Sequence, residues 1–542
     1  GYLLTGDEYF TIYDGETGTV RAQEDWIARG AVSDWGDSYG NRVNRQMLGI
    51  AYLDGIHPSL LVMRGLYQKM VVEAWTLAQD NTLTKQWTWN RAGDEGGGFQ
   101  QIRTGDVDGD GKEEIIHGSI CIDDDGTTLW DTGEYHGDRL QLTDIDPDRP
   151  GLEIWSVQED PSQYENPLNL RDASDGTLIY GVGDDSYADV GRGLVADIDP
   201  GYDGLECWSS TAAGDLHDAT GTYVAGRPTN ASSFVCDRAY WWGTDLLREI
   251  SQGMRMFSWN YTTDSVTRIG TCDPIAVADV VGDWREEMLY YDATNHKIKI
   301  GTAITVTSKR FYTLMQDPIF RNDVSSSANG YQNSNYTTFY MGSDMAPPTP
   351  STMTWSSSPA ATGETSITMT ATTATAYGFG GVEYYFDCET PGGHDSLWQT
   401  SPTYVDTLLS PGTQYTYKVK ARGLSHLETA YSSPASATTD VYTAAEHFIA
   451  PTGSDASGDG SIANPYETIT KAQSVASSGD TVYLRGGTYY LETSDVTYSF
   501  SAWDSVNHIT KNGISYIAYQ GETPIFDFSA VQPVGRRVTA FL

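Results

Sequence analysis

The chain has 542 residues, with 73 acids against 33 Lys and Arg and a net charge of −40, so it offers no general basic field for nucleic acid. Hydrophobics at 39% and aromatics at 12%, including 35 Tyr, carry too much apolar mass for a disordered polyanion and point to a globular, β-rich protein. No run of about 18 apolar residues is present, which excludes a membrane-spanning helix.

The chain opens at Gly1 without a signal peptide and reads as a piece of a longer precursor. Cys121, Cys207, Cys236, Cys272 and Cys388 are scattered without a C-x-x-C pair and read as small core residues. Helical periodicity is scarce, with a turn or two expected at Asp245–Ile250 and Thr470–Val475. Composition divides the chain into three segments: 1–345, 346–442 after the Pro-rich stretch Ala346-Pro347-Pro348-Thr349-Pro350, and 443–542.

Two patterns recur in the first segment. An acidic loop at the end of a short apolar run occurs as Asp106-Val-Asp108-Gly-Asp110-Gly-Lys112-Glu-Glu114. Further copies run from Asp144 through Asp146 and Asp148 to Glu153, from Asp197 through Asp199 to Glu206, and from Asp279 through Asp283 to Glu287. A weaker copy lies at Leu53-Asp54-Gly55. The second pattern is a hairpin tip, at Asp14-Gly15, Asp172 to Gly176, Asp218 to Gly221 and Asp292 to Asn295, where Asp and Gly supply side-chain turns and positive φ. The patterns alternate at spacings near the roughly 40–50 residues of a four-stranded blade, which predicts a β-propeller.

Carboxylates at loop positions one, three and five, a backbone oxygen at seven and Glu at nine suit a hard cation that takes oxygen ligands. Calcium is therefore expected at Asp106, Asp108, Asp110, the Lys112 carbonyl and Glu114. The other copies offer Asp144, Asp146, Asp148 and Glu153; Asp197, Asp199 and Glu206; and Asp279, Asp283 and Glu287. Its expected role is to hold blades together.

Residues 346–442 alternate Tyr and Val with polar residues, as in Gly381-Val-Glu-Tyr-Tyr-Phe-Asp387 and Gln414-Tyr-Thr-Tyr417-Lys-Val, which predicts a β-sandwich. With the early Trp355 and late Tyr417, this segment resembles a fibronectin type III module. The third segment, with Phe448-Ile-Ala-Pro-Thr-Gly, Asn464-Pro-Tyr-Glu-Thr-Ile and Gly479-Asp-Thr-Val-Tyr-Leu-Arg-Gly-Gly, resembles the N-terminal part of a right-handed parallel β-helix of pectin-degrading enzymes.

The first segment resembles polysaccharide lyase family 11, the rhamnogalacturonan lyases. The resemblance rests on Gly6-Asp-Glu-Tyr-Phe-Thr11, Trp35-Gly-Asp-Ser-Tyr-Gly-Asn-Arg42, Asp189-Val-Gly-Arg-Gly193, Trp241-Trp-Gly-Thr-Asp-Leu-Leu-Arg-Glu249 and Tyr312-Thr-Leu-Met-Gln-Asp-Pro318. It implies an all-β chain led by a partial eight-bladed propeller that lacks its opening blades. It also implies calcium-dependent cleavage of a uronate-containing polysaccharide by β-elimination, in a secreted or cell-surface monomer.

By the same resemblance Arg192 and His136 are the catalytic candidates, and Tyr331, Gln332 and Trp241 the substrate-binding ones. Two positions depart from the family: its lysine has no counterpart in Arg268-Ile-Gly-Thr-Cys272, and one histidine is replaced by Gln100. These departures support an alternative, a carbohydrate-binding or scaffold propeller without turnover.

Overall fold

The computed structural model describes the chain except residues 1, 3, 93–95, 160–165, 184–191, 211–213, 230–234, 332–333, 344, 377–380, 424–425, 442, 497, 501–502, 532–536 and 540–542. Gln332 falls outside the described residues. Among these, strands dominate, and no helix is long and apolar enough to cross a membrane.

Seven antiparallel sheets follow one another through the first segment, numbered I to VII here. Sheet I pairs Tyr9–Tyr13 with Val20–Asp25. Sheets II to VI are four-stranded and begin with Gln46–Ala51, Arg103–Gly105, Gly137–Thr143, Leu194–Ala196 and Arg238–Tyr240. Sheet VII has three strands and begins with Ala276–Ala278.

The first strands of sheets II to VI neighbour one another in order, so the sheets radiate from a common axis as propeller blades. Inner strands such as Leu194–Ala196 and Glu206–Trp208 are buried on both faces, whereas the last strand of sheet VI, Ser265–Thr271, is mostly exposed. The four hairpin tips join the strands as expected: the Asp14, Asp172, Asp218 and Asp292 carboxylates each accept backbone N–H groups of their own turn.

A polar segment occupies the axis. Helix α1 (Pro318–Ser326) packs on the first strands of sheets II, III and VII. Asp317 caps it by accepting the Phe320 N–H, and also accepts the N–H and hydroxyl of Thr338 on the returning chain. Asn322 donates to Thr104 and Glu113 of sheet III, and Asp323 pairs with Arg103 at 2.5 Å. Beyond a turn at residues 329–331 the chain runs back down the axis. There the Asn335 amide reaches the Val277 carbonyl, the Tyr336 hydroxyl the Val195 carbonyl, and the Tyr340 N–H Asp144. Sheets II, III, IV, V and VII thus bond to one central hairpin, which meets the requirement that buried polar groups find partners.

The second segment is a sandwich of two three-stranded sheets over a core that includes Ile367, Phe386, Tyr417 and Val419. Trp355 meets Phe386 at 6.1 Å between ring centres, and the buried Asp406 accepts the Tyr417 hydroxyl. In the third segment Glu446–Ile449, Thr481–Leu484 and Ser515–Ala518 pair in parallel, one coil apart, as a β-helix requires. The helix expected at Thr470–Val475 is there (Ile469–Val475), capped by Thr468. The one expected at Asp245–Ile250 is instead a bend leading into strand Glu249–Gln252, because Glu249 and Ile250 pair in sheet VI. Four cysteines are buried and Cys388 is partly so, and all are free thiols.

Candidate active site at the axis of the propeller

The acidic loops join the first strand of a blade to its second, and therefore lie together at one end of the axis. Glu114, Glu153, Glu206, Glu249 and Glu287 each open the second strand of their blade. Each carboxylate turns back to accept N–H groups of its own loop: Val107 for Glu114, Ile145 and Asp146 for Glu153, Ile198 and Asp199 for Glu206, Trp242 and Gly243 for Glu249, and Val280 and Val281 for Glu287. Burial raises all five, Glu114 and Glu153 up to about 8 and Glu249 up to about 7. Successive loops are stitched by backbone bonds: Leu205 donates to Ile145, Arg248 to Asp197, and Glu286 to Trp241.

The expected ligand sets differ once folded. Oxygens of Asp106, Asp108 and Glu114 lie within 4.8 Å of one another, and Glu114 shares a second such group with Asp123 and Asp124. Glu114 Oε1 is buried without a hydrogen-bond partner. Asp110 stands outside both groups, accepting the Lys112 N–H, while the Lys112 ammonium sits 2.8 Å from Asp124. At the next two loops, Asp144 accepts the Tyr340 N–H and Asp146 the Asp148 N–H, and Asp199 accepts the Gly201 N–H. Asp197 accepts the Ser343 N–H. Among the described residues, Asp144, Asp146, Asp148 and Glu153 do not draw three oxygens together, nor do Asp197, Asp199 and Glu206. At the fourth loop Asp279 is saturated by the N–H groups of Gly282, Asp283 and Leu314, and Asp283 pairs with Arg285 at 2.6 Å.

Trp241 is a correction. It takes the first position of the loop in sheet VI and is buried at 3% exposure against Phe320, with the Arg248 guanidinium 4.0 Å over its ring. It faces the core at the loop end of the axis and has no surface for a sugar.

The other end of the axis is where first strands begin, and it gathers cations. Arg139, fully buried on sheet IV, reaches 98 residues along the chain to the Asp237 carbonyl at 2.5 Å and carboxylate at 3.2 Å. Arg192 approaches the same carboxylate at 3.4 Å and is half-exposed. Both guanidiniums lie over the Tyr331 ring, at 4.7 Å from Arg192 and 5.7 Å from Arg139. Tyr331 is placed by the tip of the axial hairpin: its N–H donates to the Gln100 carbonyl. The preceding residue is Gly330, at φ +40°, because a Cβ there would lie 1.7 Å from that carbonyl oxygen.

His136 lies beside this group, buried in the loop before sheet IV. Its Nδ1 donates to the Gly98 carbonyl at 2.5 Å, and its Nε2 faces Glu159 at 3.1 Å and the Gln100 amide at 3.3 Å. Gln100 is oriented by Arg45, which donates to its carbonyl oxygen at 3.1 Å, so its NH2 points at His136 and the Tyr67 hydroxyl. The Tyr67 ring packs against His136 at a tilt, 4.2 Å between ring centres, and carries Arg42 on a face at 4.8 Å. A His136 ring nitrogen and oxygens of Asp138 and Glu159 fall within 4.8 Å of one another. The axis thus carries Arg192, His136 and Tyr331 near one another, together with Arg139, Asp237, Gln100, Tyr67 and Glu159. Cys272 is buried between sheets VI and VII against Tyr240, Met256 and Met288.

Known proteins resemble this chain along the same segments. A family model described as rhamnogalacturonan lyase family 11, C-terminal domain, matches residues 1–351, and one described as a Pel9A-like, right handed beta helix region matches 447–541. Rhamnogalacturonan endolyase YesW of Bacillus subtilis (strain 168) is 40% identical over 365 residues, which are 64% of this chain and 57% of that one. Rhamnogalacturonan exolyase YesX of the same organism is 36% identical over 379 residues, 64% of this chain and 61% of that one. The crystal structure of rhamnogalacturonan lyase YesW superposes with a TM-score of 0.58, covering 63% of this chain and 60% of that one at 40% identity. The chain therefore spans roughly three-fifths of the length of these relatives.

Proposed function

Because the chain belongs to rhamnogalacturonan lyase family 11, we propose that it is a polysaccharide lyase cleaving rhamnogalacturonan, or a related uronate polymer, by β-elimination. In that reaction the C5–H bond of a uronate breaks and a C4=C5 double bond forms. The C4–O bond breaks with it, and the departing oxygen takes a proton. The C5 proton is acidic only if the neighbouring carboxylate is neutralised, so a fixed cation is the first requirement.

Arg192 fits that requirement: it is half-exposed, and it is held by Asp237 and by the ring of Tyr331. Tyr331 offers an aromatic surface to a sugar, and His136 is the proton-handling group. With Nδ1 committed to the Gly98 carbonyl, Nε2 is the atom through which His136 exchanges a proton. The observation that carries the reading is that Arg139 and Arg192 share one carboxylate, Asp237, which leaves a locally cationic spot in a chain of charge −40. A polymeric substrate supports a secreted or cell-surface location.

Calcium fits the first acidic loop, where an all-oxygen set and a buried carboxylate oxygen without a partner meet. Asp106, Asp108 and Glu114 would hold it, and it would supply charge neutralisation and rigidity to that loop. At the Asp279 loop N–H groups already do this work.

The reading is tested by incubating the chain with rhamnogalacturonan and following the ultraviolet absorbance of unsaturated uronate, with and without chelator. Product formation is expected. Tight binding of the polymer without product would favour the carbohydrate-binding alternative, which Gln100 in the place of a family histidine supports.

A further inference from the structure

A buried guanidinium is costly unless acceptors meet it, and the large buried arginines Arg64, Arg103, Arg139 and Arg248 of the propeller each have a carboxylate within 4.0 Å. Arg64 donates to the carbonyls of Ile27 and Val43 and pairs with Glu8, Arg103 pairs with Asp323, and Arg248 donates to the carbonyls of Ala239 and Asn335. Arg238 departs from this pattern. It opens the first strand of sheet VI, is partly buried, and has no acceptor at its Nε, as is also true of Arg139 and Arg248. Among the described residues no carboxylate lies within the 4.0 Å of an ion pair with it. The adjacent carboxylate, Asp237, is already shared by Arg139 and Arg192.

Arg238 instead borders a cavity of about 60 Å³ at the cleft end of the axis, lined also by Tyr240, Ile275, Ser327 and Asn335. Such a space is too small for a sugar ring and sufficient for a carboxylate. Its lining supplies a guanidinium and a Ser hydroxyl and no acid. Resting on the lyase reading, we propose that Arg238 is a second carboxylate-binding position, which takes an acidic sugar neighbouring the one held at Arg192. Two such positions along one groove give an acidic protein purchase on an acidic polymer. They also select chains in which carboxylates recur over neutral or singly charged sugars.

The test compares Arg238→Gln and Arg238→Lys with the parent chain on rhamnogalacturonan and on the shortest oligosaccharide it cleaves, with melting temperatures recorded. Arg238→Gln is expected to raise KM on the polymer about tenfold with kcat within about threefold. Its salt dependence should be shallower, its melting unchanged, and Arg238→Lys should recover part of the loss. A polymer KM within about twofold of the parent overturns the proposal, as does a loss matched by a lowered melting temperature that Lys does not relieve. Calorimetry with acidic oligosaccharide separates the two readings. A parent that binds but does not cleave sinks the lyase reading alone, and Arg238→Gln binding as tightly as the parent sinks the second position.

Discussion

The two ends of the same propeller strands are chemical opposites. Where first strands pass into second strands, carboxylates cluster and are neutralised by N–H groups of their own loops, as Glu153 and Glu287 are. Where first strands begin, guanidiniums cluster, and among the described residues Arg139 and Arg192 share the one carboxylate of Asp237, while Asp138 and Glu159 gather at His136. Net charge is therefore a poor guide to what this protein binds. The charges of the propeller are sorted along its axis, and with screening over about 8–10 Å at physiological salt the cleft experiences its own arginines rather than the far loops.

The largest expected effect lies at the cationic end. Arg192→Ala should lower lyase turnover about a thousandfold, roughly 4 kcal/mol of transition-state stabilisation, with the melting temperature unchanged. Unsaturated-product kinetics together with calorimetry check this, and normal turnover would make Arg192 structural. At the opposite end, chelating divalent ions should lower propeller stability by about 3 kcal/mol and leave the sandwich transition in place. A scanning calorimeter that shows no change in either transition would argue against a cation on Asp106, Asp108 and Glu114.

The third effect is smaller and depends on pH. Burial pushes Glu249 up to about 7, so folding retains its proton at pH values where the unfolded chain has released it. The stability it contributes is full below its ordinary value near 4.5 and is lost as pH rises through about 7. Glu249→Gln should remove that dependence, so that between pH 5 and 8 the parent loses about 2 kcal/mol relative to the variant in urea denaturation. Asp54 sharpens the contrast from the exposed side. It accepts the N–H groups of Ile56 and His57, which hold its carboxyl at about 2. Asp54→Ala should cost about 0.5–1 kcal/mol, with no change in sensitivity to chelator.

The blades were legible because their loops and tips repeat as short local motifs. Asp106 to Glu114 and Asp172 to Gly176 sit where the alternation of patterns places them. The copy at residues 241–249 escaped because Trp241 replaces the leading Asp while Glu249 keeps its role. Helix α1 escaped for a different reason. It places polar Asn322 and Asp323 inward beside Ile319 and Phe320, against partners far away in sequence, so it shows no apolar stripe to detect. Arg192, His136 and Tyr331 came from resemblance, and the contact of Arg139 with Asp237 lies beyond any local pattern.

The axial hairpin is also the last part of the propeller to leave the ribosome. Sheets I to VII emerge before residues 313–345, so the blades wait with Arg103, Asp144 and Val195 facing an unfilled centre. The hub is made after the blades it joins, and Tyr331 after the Arg192 it meets. The cleft is complete only once this final segment of the propeller has been made.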